Sequence, residues 1–365
     1  MSNSKVGTIE AIMLILTIII THTILSLPKR IITLTKSASI LNLIYVGIIA
    51  VLLAYLIYKL IKSFPGLDLI DISEFLGGKI FKNIVGTIFM LHFIITSSLL
   101  LRNFCEVLKI VYYPMTNIIF ILAFFIIAVC IANYFDFSST LKANLIIVPI
   151  VLASIIFLLF SNIKNFVPQR IFPILGDGLY NTFVLGILNL SSFGGLTYLY
   201  FLPPLLNEPE KMKKISLISI GVSAIYLILC VSIILFMFSS FIDINEISLL
   251  YSATRYVEFG KFLDRLESVF LLIWMIVFAC YLSIVLKFVM TIFRKITNIQ
   301  NKKPLIPIFG LLILAISLIP KNLGVSEFFE NQIYPYMVLF IVIILGIGIL
   351  VFANFKLKKS QKQKS

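Results

Sequence analysis

The chain is a nearly unbroken series of apolar runs, each about as long as a bilayer is thick. A hydrocarbon core about 30 Å thick is crossed by about 20 apolar residues in α-helix. Runs of this kind occur at 8–27, 40–61, 84–112, 117–134, 143–161, 182–202, 215–241, 262–292, 305–319 and 333–355. The third, seventh and eighth are long enough to tilt or to project from the lipid, and the ninth is the shortest. A water-soluble chain of 365 residues needs more polar surface than 13% charged residues supply against 60% hydrophobic ones. The expectation is an all-α integral membrane protein of about ten transmembrane helices, with residues 1–365 forming a single membrane domain.

An even number of crossings places both termini on one side. With the N-terminus cytoplasmic, the greater part of the 30 Lys and Arg falls on the cytoplasmic side, including Lys59, Lys62, Lys213, Lys214, Arg294, Lys295 and the lysines of the tail. That bias follows the positive-inside rule, and Lys29, Arg30 and Lys36 run against it. The net charge of +14 is not interleaved with stacking aromatics, so it points to anionic lipid headgroups and not to nucleic acid. The basic tail at 356–365 reads as disordered. The first apolar run has no small-residue cleavage site and reads as a retained span.

Covalent chemistry finds no support in the residues. Cys105, Cys130, Cys230 and Cys280 lie in or beside apolar runs without a CxxC pair and read as buried small hydrophobes. His22 and His92 are far apart and form no metal-ligand spacing. There is no GxSxG, HExxH or P-loop. Neither an enzyme nor a cofactor is expected.

Two spans carry interruptions. The first ends in Thr21-His22-Thr23-Ile24-Leu25-Ser26-Leu27-Pro28, and the sixth contains Ser191-Ser192-Phe193-Gly194-Gly195 followed by Pro203-Pro204. These are spans one and six of ten, which correspond if the chain is two five-helix halves. Paired broken helices at corresponding positions point to a transporter-type binding site. Unwound backbone exposes N–H and C=O groups that are costly in lipid unless they bind something. Thr21, His22, Thr23, Ser191, Ser192, Phe193, Gly194, Gly195 and Tyr198 are the ligand-binding candidates from these two breaks. The amides near Gly194 and Gly195 would take a ligand carboxylate, with Phe193 and Tyr198 walling the apolar end. Two plainer readings stand beside this one. Gly194-Gly195 also suits close helix approach, and Thr21 and Thr23 also suit bonds to their own backbone carbonyls.

Several stretches, in order, resemble the spore germination permease family, a branch of the amino acid–polyamine–organocation superfamily. Phe64-Pro65-Gly66 with Ile72-Ser73-Glu74 and Leu76-Gly77-Gly78-Lys79 resembles the family's loop after the second span. Phe172-Pro173-Ile174-Leu175-Gly176-Asp177-Gly178 resembles the loop before the sixth, and Phe193-Gly194-Gly195 with Leu202-Pro203-Pro204-Leu205-Leu206 the sixth span and its exit. Thr254-Arg255-Tyr256-Val257-Glu258, Phe262-Leu263-Asp264-Arg265-Leu266-Glu267 and Ile273-Trp274 resemble the entry to the eighth. The chain departs from the pattern after the fourth span, which reads Asn133-Tyr134-Phe135-Asp136 with Lys142 beyond, and lacks an acid near Gly195-Leu196-Thr197.

The resemblance implies a LeuT-like fold of two inverted five-helix repeats, at about 8–161 and 182–355, with the first and sixth helices broken. It implies the membrane B subunit of a nutrient germinant receptor in the spore inner membrane, partnered by an A-type subunit and a C-type lipoprotein. Such a subunit would bind a small nutrient such as an amino acid and trigger germination. In this fold the third and eighth spans flank the site, which adds Phe93, Thr96 and Ser97, and Trp274, Phe278 and Tyr281. The last three share one helical face, a stripe that equally suits core packing. Ser283 is a candidate for a sodium-like site with first-span carbonyls. Two other functional readings remain: an amino acid or cation symporter, and an ion-conducting or scaffold subunit with no ligand. Arg102 and Glu106, four apart, read either as an intrahelical ion pair or as a functional pair at membrane depth. Asp243, Glu246, Glu258, Asp264, Arg265 and Glu267 read as a solvated outer loop or a tie between that loop and the bundle.

Overall fold

The computed structural model describes residues 5–135, 137–238, 248–257, 266–299, 301 and 303–362. Asp136, Asp243, Glu246, Glu258, Asp264, Arg265, Lys302 and most of the 262–267 motif lie outside the described residues. Regular structure among the described residues is helical, apart from an isolated parallel bridge between Val6 and Leu206. In chain order come α1 (Thr8–Thr21), α2 (Leu27–Thr35), α3 (Ser39–Ile61), α4 (Leu69–Tyr112), α5 (Ile118–Tyr134) and α6 (Phe137–Ser161). An irregular segment at 180–205 follows and contains the one-turn α7 (Leu196–Leu199). Then come α8 (Met212–Met237), α9 (Leu249–Arg255), α10 (Leu266–Thr297) and α11 (Leu305–Ser317). The last helical run joins α12 (Leu323–Phe328), α13 (Tyr334–Leu339) and α14 (Gly348–Lys362) through π turns at Phe329–Ile333 and Phe340–Ile347.

Six helical stretches among the described residues are long and apolar enough to cross a membrane: Leu27–Ile61, Leu69–Tyr112, Phe137–Ser161, Pro209–Met237, Glu267–Thr297 and Leu323–Ser360. Thr8–Ile24, Ile118–Tyr134 and Leu305–Ser317 are shorter apolar helices. The chain is thus an integral membrane protein. α5 shows why lipid is its solvent. Ile121, Leu122, Phe125 and Val129 are buried, while Phe124, Ile127 and Ile131 on the other face are more than half exposed. A helix apolar on both faces has no polar side to offer to water. α1 is buried from Leu14 through Thr21 and packs against α6, α8 and α10, so it runs through the middle of the bundle.

The helices extend beyond the apolar runs where polar groups complete them. α4 begins at Leu69, far ahead of the span expected at 84, because Asp68 caps it by accepting from the N–H groups of Ile70 and Asp71, each at 3.1 Å. Its first two turns end in a kink at Gly77 and Gly78. The φ of Gly78 is +73°, a conformation that a side chain would strain. Lys356 of α14 donates to the carbonyls of Phe75 and Leu76, at 2.8 and 3.0 Å, just ahead of that kink. The tail expected to be disordered from 356 is therefore helical through Lys362, because its first lysine has backbone acceptors waiting for it. Lys295, in the last turn of α10, bridges Asp68 at 2.6 Å and Asp71 at 2.5 Å. Asp68 is only 2% exposed, so its carboxylate depends on that partner.

Replacing Lys295 with Met should cost about 2 kcal/mol, less than a fully dry pair because the lysine is partly solvated. Thermal unfolding in detergent of Lys295→Met, Asp68→Asn and the double variant checks this. The double variant should lose clearly less than the sum of the singles, and strict additivity would show that the pair does not interact.

Candidate ligand site

The first break is built by side chains that compete with the helix for its own carbonyls. Thr21 donates to the carbonyl of Thr17 at 2.6 Å and Thr23 to that of Ile20 at 2.6 Å. The chain then tightens into a 3₁₀ turn at His22–Ile24, and Leu25 leaves helical geometry at φ −94°, ψ −140°. α2 restarts with Pro28 in its first turn, where a missing N–H does no harm. The freed carbonyl of Ile24 accepts from the Ser248 hydroxyl at 2.5 Å, and Thr23 also meets the Tyr226 hydroxyl at 3.0 Å. The backbone-bonded reading of the two threonines is the one observed.

The sixth segment departs from α-helix without coming apart. It winds as a π turn at Tyr180–Val184 and a 3₁₀ helix at Leu185–Phe193, and Gly194 and Gly195 keep helical angles. Asn42 of α3 pins it by donating to the carbonyls of Thr182 and Gly186, at 2.7 and 3.1 Å, while accepting from Asn189 at 2.8 Å. The Gly194 N–H donates to the Ser191 carbonyl at 3.1 Å. That amide, expected to be free for a carboxylate, is already used, because a 3₁₀ winding bonds it locally.

Arg30 and Glu330 are inward-facing charges that the sequence reading did not place near the two interruptions. α2 carries the first span on to Thr35, so Arg30 is not an outer-loop charge but a side chain turned inward. It donates to the hydroxyls of Ser191 at 2.9 Å and Ser192 at 3.3 Å, linking the two interrupted segments. Glu330, in the π turn between α12 and α13, is 5% exposed and accepts from the Asn103 amide of α4. Its other oxygen is 3.9 Å from His22 Nδ1, beyond hydrogen-bond length. His22 stacks on Tyr334 at 5.6 Å between ring centres and meets Tyr281 edge-on at 5.9 Å. The helical run from Leu323 begins ten residues before the span expected at 333, and this brings Glu330 inside the bundle. A lone acid just ahead of an apolar run, in a stretch that can extend the helix, is the signal that was available.

The remaining candidates divide between the site and the core. Phe93 stacks on Tyr198 at 4.6 Å inside an aromatic cluster with Phe89, Phe201 and Phe288. Phe193 is fully buried, and Ser97 bonds its own helix at Ile94. Phe278 stacks on Phe104 at 4.3 Å, which is core packing. Ser283 bonds Asn133 at 3.0 Å and Thr140 at 3.2 Å, partners from α5 and α6 and not first-span carbonyls. Among the described residues no group of three His, Cys, Asp or Glu is placed to hold a metal ion. Arg102 and Glu106 form a buried ion pair at 2.6 Å within α4, and Arg102 also reaches the Lys321 carbonyl at 3.3 Å. Four buried polar atoms of the candidate set have no protein partner: His22 Nδ1, Thr96 Oγ1, Trp274 Nε1 and Tyr281 Oη. A groove of about 620 Å³ lies elsewhere, between α5, α6 and α10, and is lined by residues such as Phe125, Ala128 and Met275.

The family model described as spore germination protein matches residues 5–324. The chain belongs to the spore germination protein family. A curated relative, spore germination protein YndE of Bacillus subtilis (strain 168), is 22% identical over 98% of this chain and 99% of its own length. The matched residues include Arg30 and the sixth segment and stop short of Glu330.

Gly194 has angles that any residue adopts, so only space restricts it. A Cβ there would sit 2.6 Å from the Tyr334 hydroxyl and 3.9 Å from its Cζ. Gly194→Ala should lower stability by about 1–3 kcal/mol through overpacking. Adding Tyr334→Phe should recover most of that loss in thermal melts, since the hydroxyl alone makes the clash.

Proposed function

We propose that this protein is the membrane subunit of a spore nutrient receptor, and that it binds a small nutrient such as an amino acid between its first and sixth segments. On this reading the chain crosses the spore inner membrane ten times, as two inverted five-helix halves with both termini cytoplasmic. An A-type subunit and a C-type lipoprotein complete the receptor, and ligand binding is passed to them to start germination. The observation that carries the reading is the bond from Arg30 to Ser191 and Ser192. It joins α2, which follows the first break, to the irregular sixth segment, and the Arg30 Nε is buried without a partner among the described residues. Family membership supports it, as does the match over nearly the whole length of a named spore germination protein.

The packed interior is read as the unliganded, occluded form, in which the His22–Tyr334 stack fills the place of the guest. Ligand pockets of this kind are mostly apolar with a few placed polar groups. Thr96, Trp274 and Tyr281 supply such groups, each with an unpartnered polar atom.

Glu330 favours one other reading, a symporter that couples amino acid uptake to a cation. The sixth segment lacks an acid, and the tenth-span carboxylate supplies one beside the first break. Accumulation of labelled amino acid by proteoliposomes under a proton or sodium gradient would favour transport over sensing alone.

Tyr281→Phe tests the site without disturbing the fold. Its hydroxyl bonds nothing in the protein, so stability should hold within about 0.5 kcal/mol. The nutrient concentration for half-maximal germination should rise about tenfold if the ligand accepts that bond. Spores with an unchanged nutrient response would remove Tyr281 from the site.

A further inference from the structure

We infer that Arg30 and Glu330 set ligand specificity, Arg30 holding the carboxylate and Glu330 the ammonium group of a zwitterionic amino acid. The inference rests on the receptor reading and deepens it: recognition falls to two side-chain charges and not to the backbone of the sixth segment.

The first argument is the state of the two charges. Ionised groups at membrane depth are costly and are paired or functional. Arg30 has two neutral serine hydroxyls for partners, and its Nε is buried with none. Glu330 has the Asn103 amide as donor on one oxygen and His22 Nδ1 at 3.9 Å from the other. The two lie within each other's electrostatic field, yet no Arg30 nitrogen comes within the 4.0 Å of an ion pair with that carboxylate. Opposite charges held apart at a partly buried site inside the bundle can both be satisfied by a third body that bridges them. A molecule carrying both charges on adjacent atoms has the matching polarity.

The second argument is the geometry of the donors. The Gly194 amide is bonded to Ser191. A guanidinium offers five donors in a planar fork that fits a carboxylate, and here Nη2 donates to the two serines while the buried Nε–H has no partner among the described residues. Displacing Arg30 from the serines would also loosen α2 from the sixth segment, which gives binding a structural consequence.

The third argument is give in the wall. Glu330 sits in a π turn, whose extra residue lets a helix shift by one position, and π turns favour functional sites. The His22 and Tyr334 rings stack on each other beside it, with His22 Nδ1 3.9 Å from the carboxylate.

The test uses the full chain in lipid nanodiscs. Trp274, the single tryptophan and buried on α10, the helix that carries Tyr281, reports binding by fluorescence, with thermal shift as a second readout. The probes are the common L-amino acids, the N-acetyl and amide derivatives of each that binds, and glucose as an uncharged control. At least one amino acid should bind, and blocking either its amine or its carboxylate should weaken binding about 30-fold or more. Arg30→Gln should erase the preference for acid over amide, and Glu330→Gln the preference for free over acetylated amine. Derivatives that bind as well as their parents overturn the inference, even if neither variant folds. Binding of glucose without any amino acid overturns it while leaving the receptor reading in place. Binding of no probe removes both.

Discussion

The link from Arg30 to Ser191 and Ser192 is the constraint around which the interior is organised. An arginine at the level of a broken helix in a membrane protein costs a few kcal/mol unless it is turned to polar groups inside the bundle. The irregular winding of the sixth segment supplies those groups. A 3₁₀ turn places Ser191 and Ser192 toward α2 while closing its own backbone bonds, so the segment stays solvated by itself. Asn42 then holds the segment from the opposite side through two carbonyls and Asn189. Three helical elements with departures from α geometry are thus coupled by side chains from α2, α3 and α4.

The far end of the bundle is organised by the same logic with different groups. There Lys295 neutralises Asp68 and Asp71, and Lys356 takes the carbonyls of Phe75 and Leu76. Both contacts fall on the stretch of α4 before its kink at Gly78. α10 and α14 are therefore tied to one short helical arm. Any change in the angle of α4 at that kink must strain these lysine contacts. The arm couples the long helix that carries Thr96 and Asn103 to the two helical runs that carry Tyr281 and Glu330.

Periodicity and length made the membrane class, most span centres and the first break legible, because lipid imposes a composition that no soluble fold tolerates. Span ends were harder to read. Asp68, Lys356 and the residues before Glu330 extend helices through capping and salt bridges, which leave no apolar signature. The same gap hid the charged pair. Arg30 was counted with Lys29 as a loop charge because hydropathy ends the first span near Leu27, while the structure carries it on to Thr35. Glu330 was hidden by an expected helix start at 333. The sixth break was located correctly and its nature was not. Gly194-Gly195 signals weak helix, and only neighbours decide whether weak helix opens or winds tighter. Ser283 failed for a related reason: a hydroxyl's partner is set by packing, and Asn133 and Thr140 reach it from α5 and α6.

That difference between opening and tightening changes what the site can recognise. An opened segment presents bare amides, which attract any anion and read little else about its carrier. A tightened one hides its amides and leaves recognition to side chains, whose charge and reach can differ from one relative to the next on an unchanged backbone. On the proposed reading Arg30 and Glu330 are such side chains, the first on α2 just after the first break and the second in a π turn. A scaffold that leaves recognition to a few inward charges permits new specificity without risk to the fold. The His22 ring, stacked on Tyr334 and edge-on to Tyr281, packs apolar surface beside these charges.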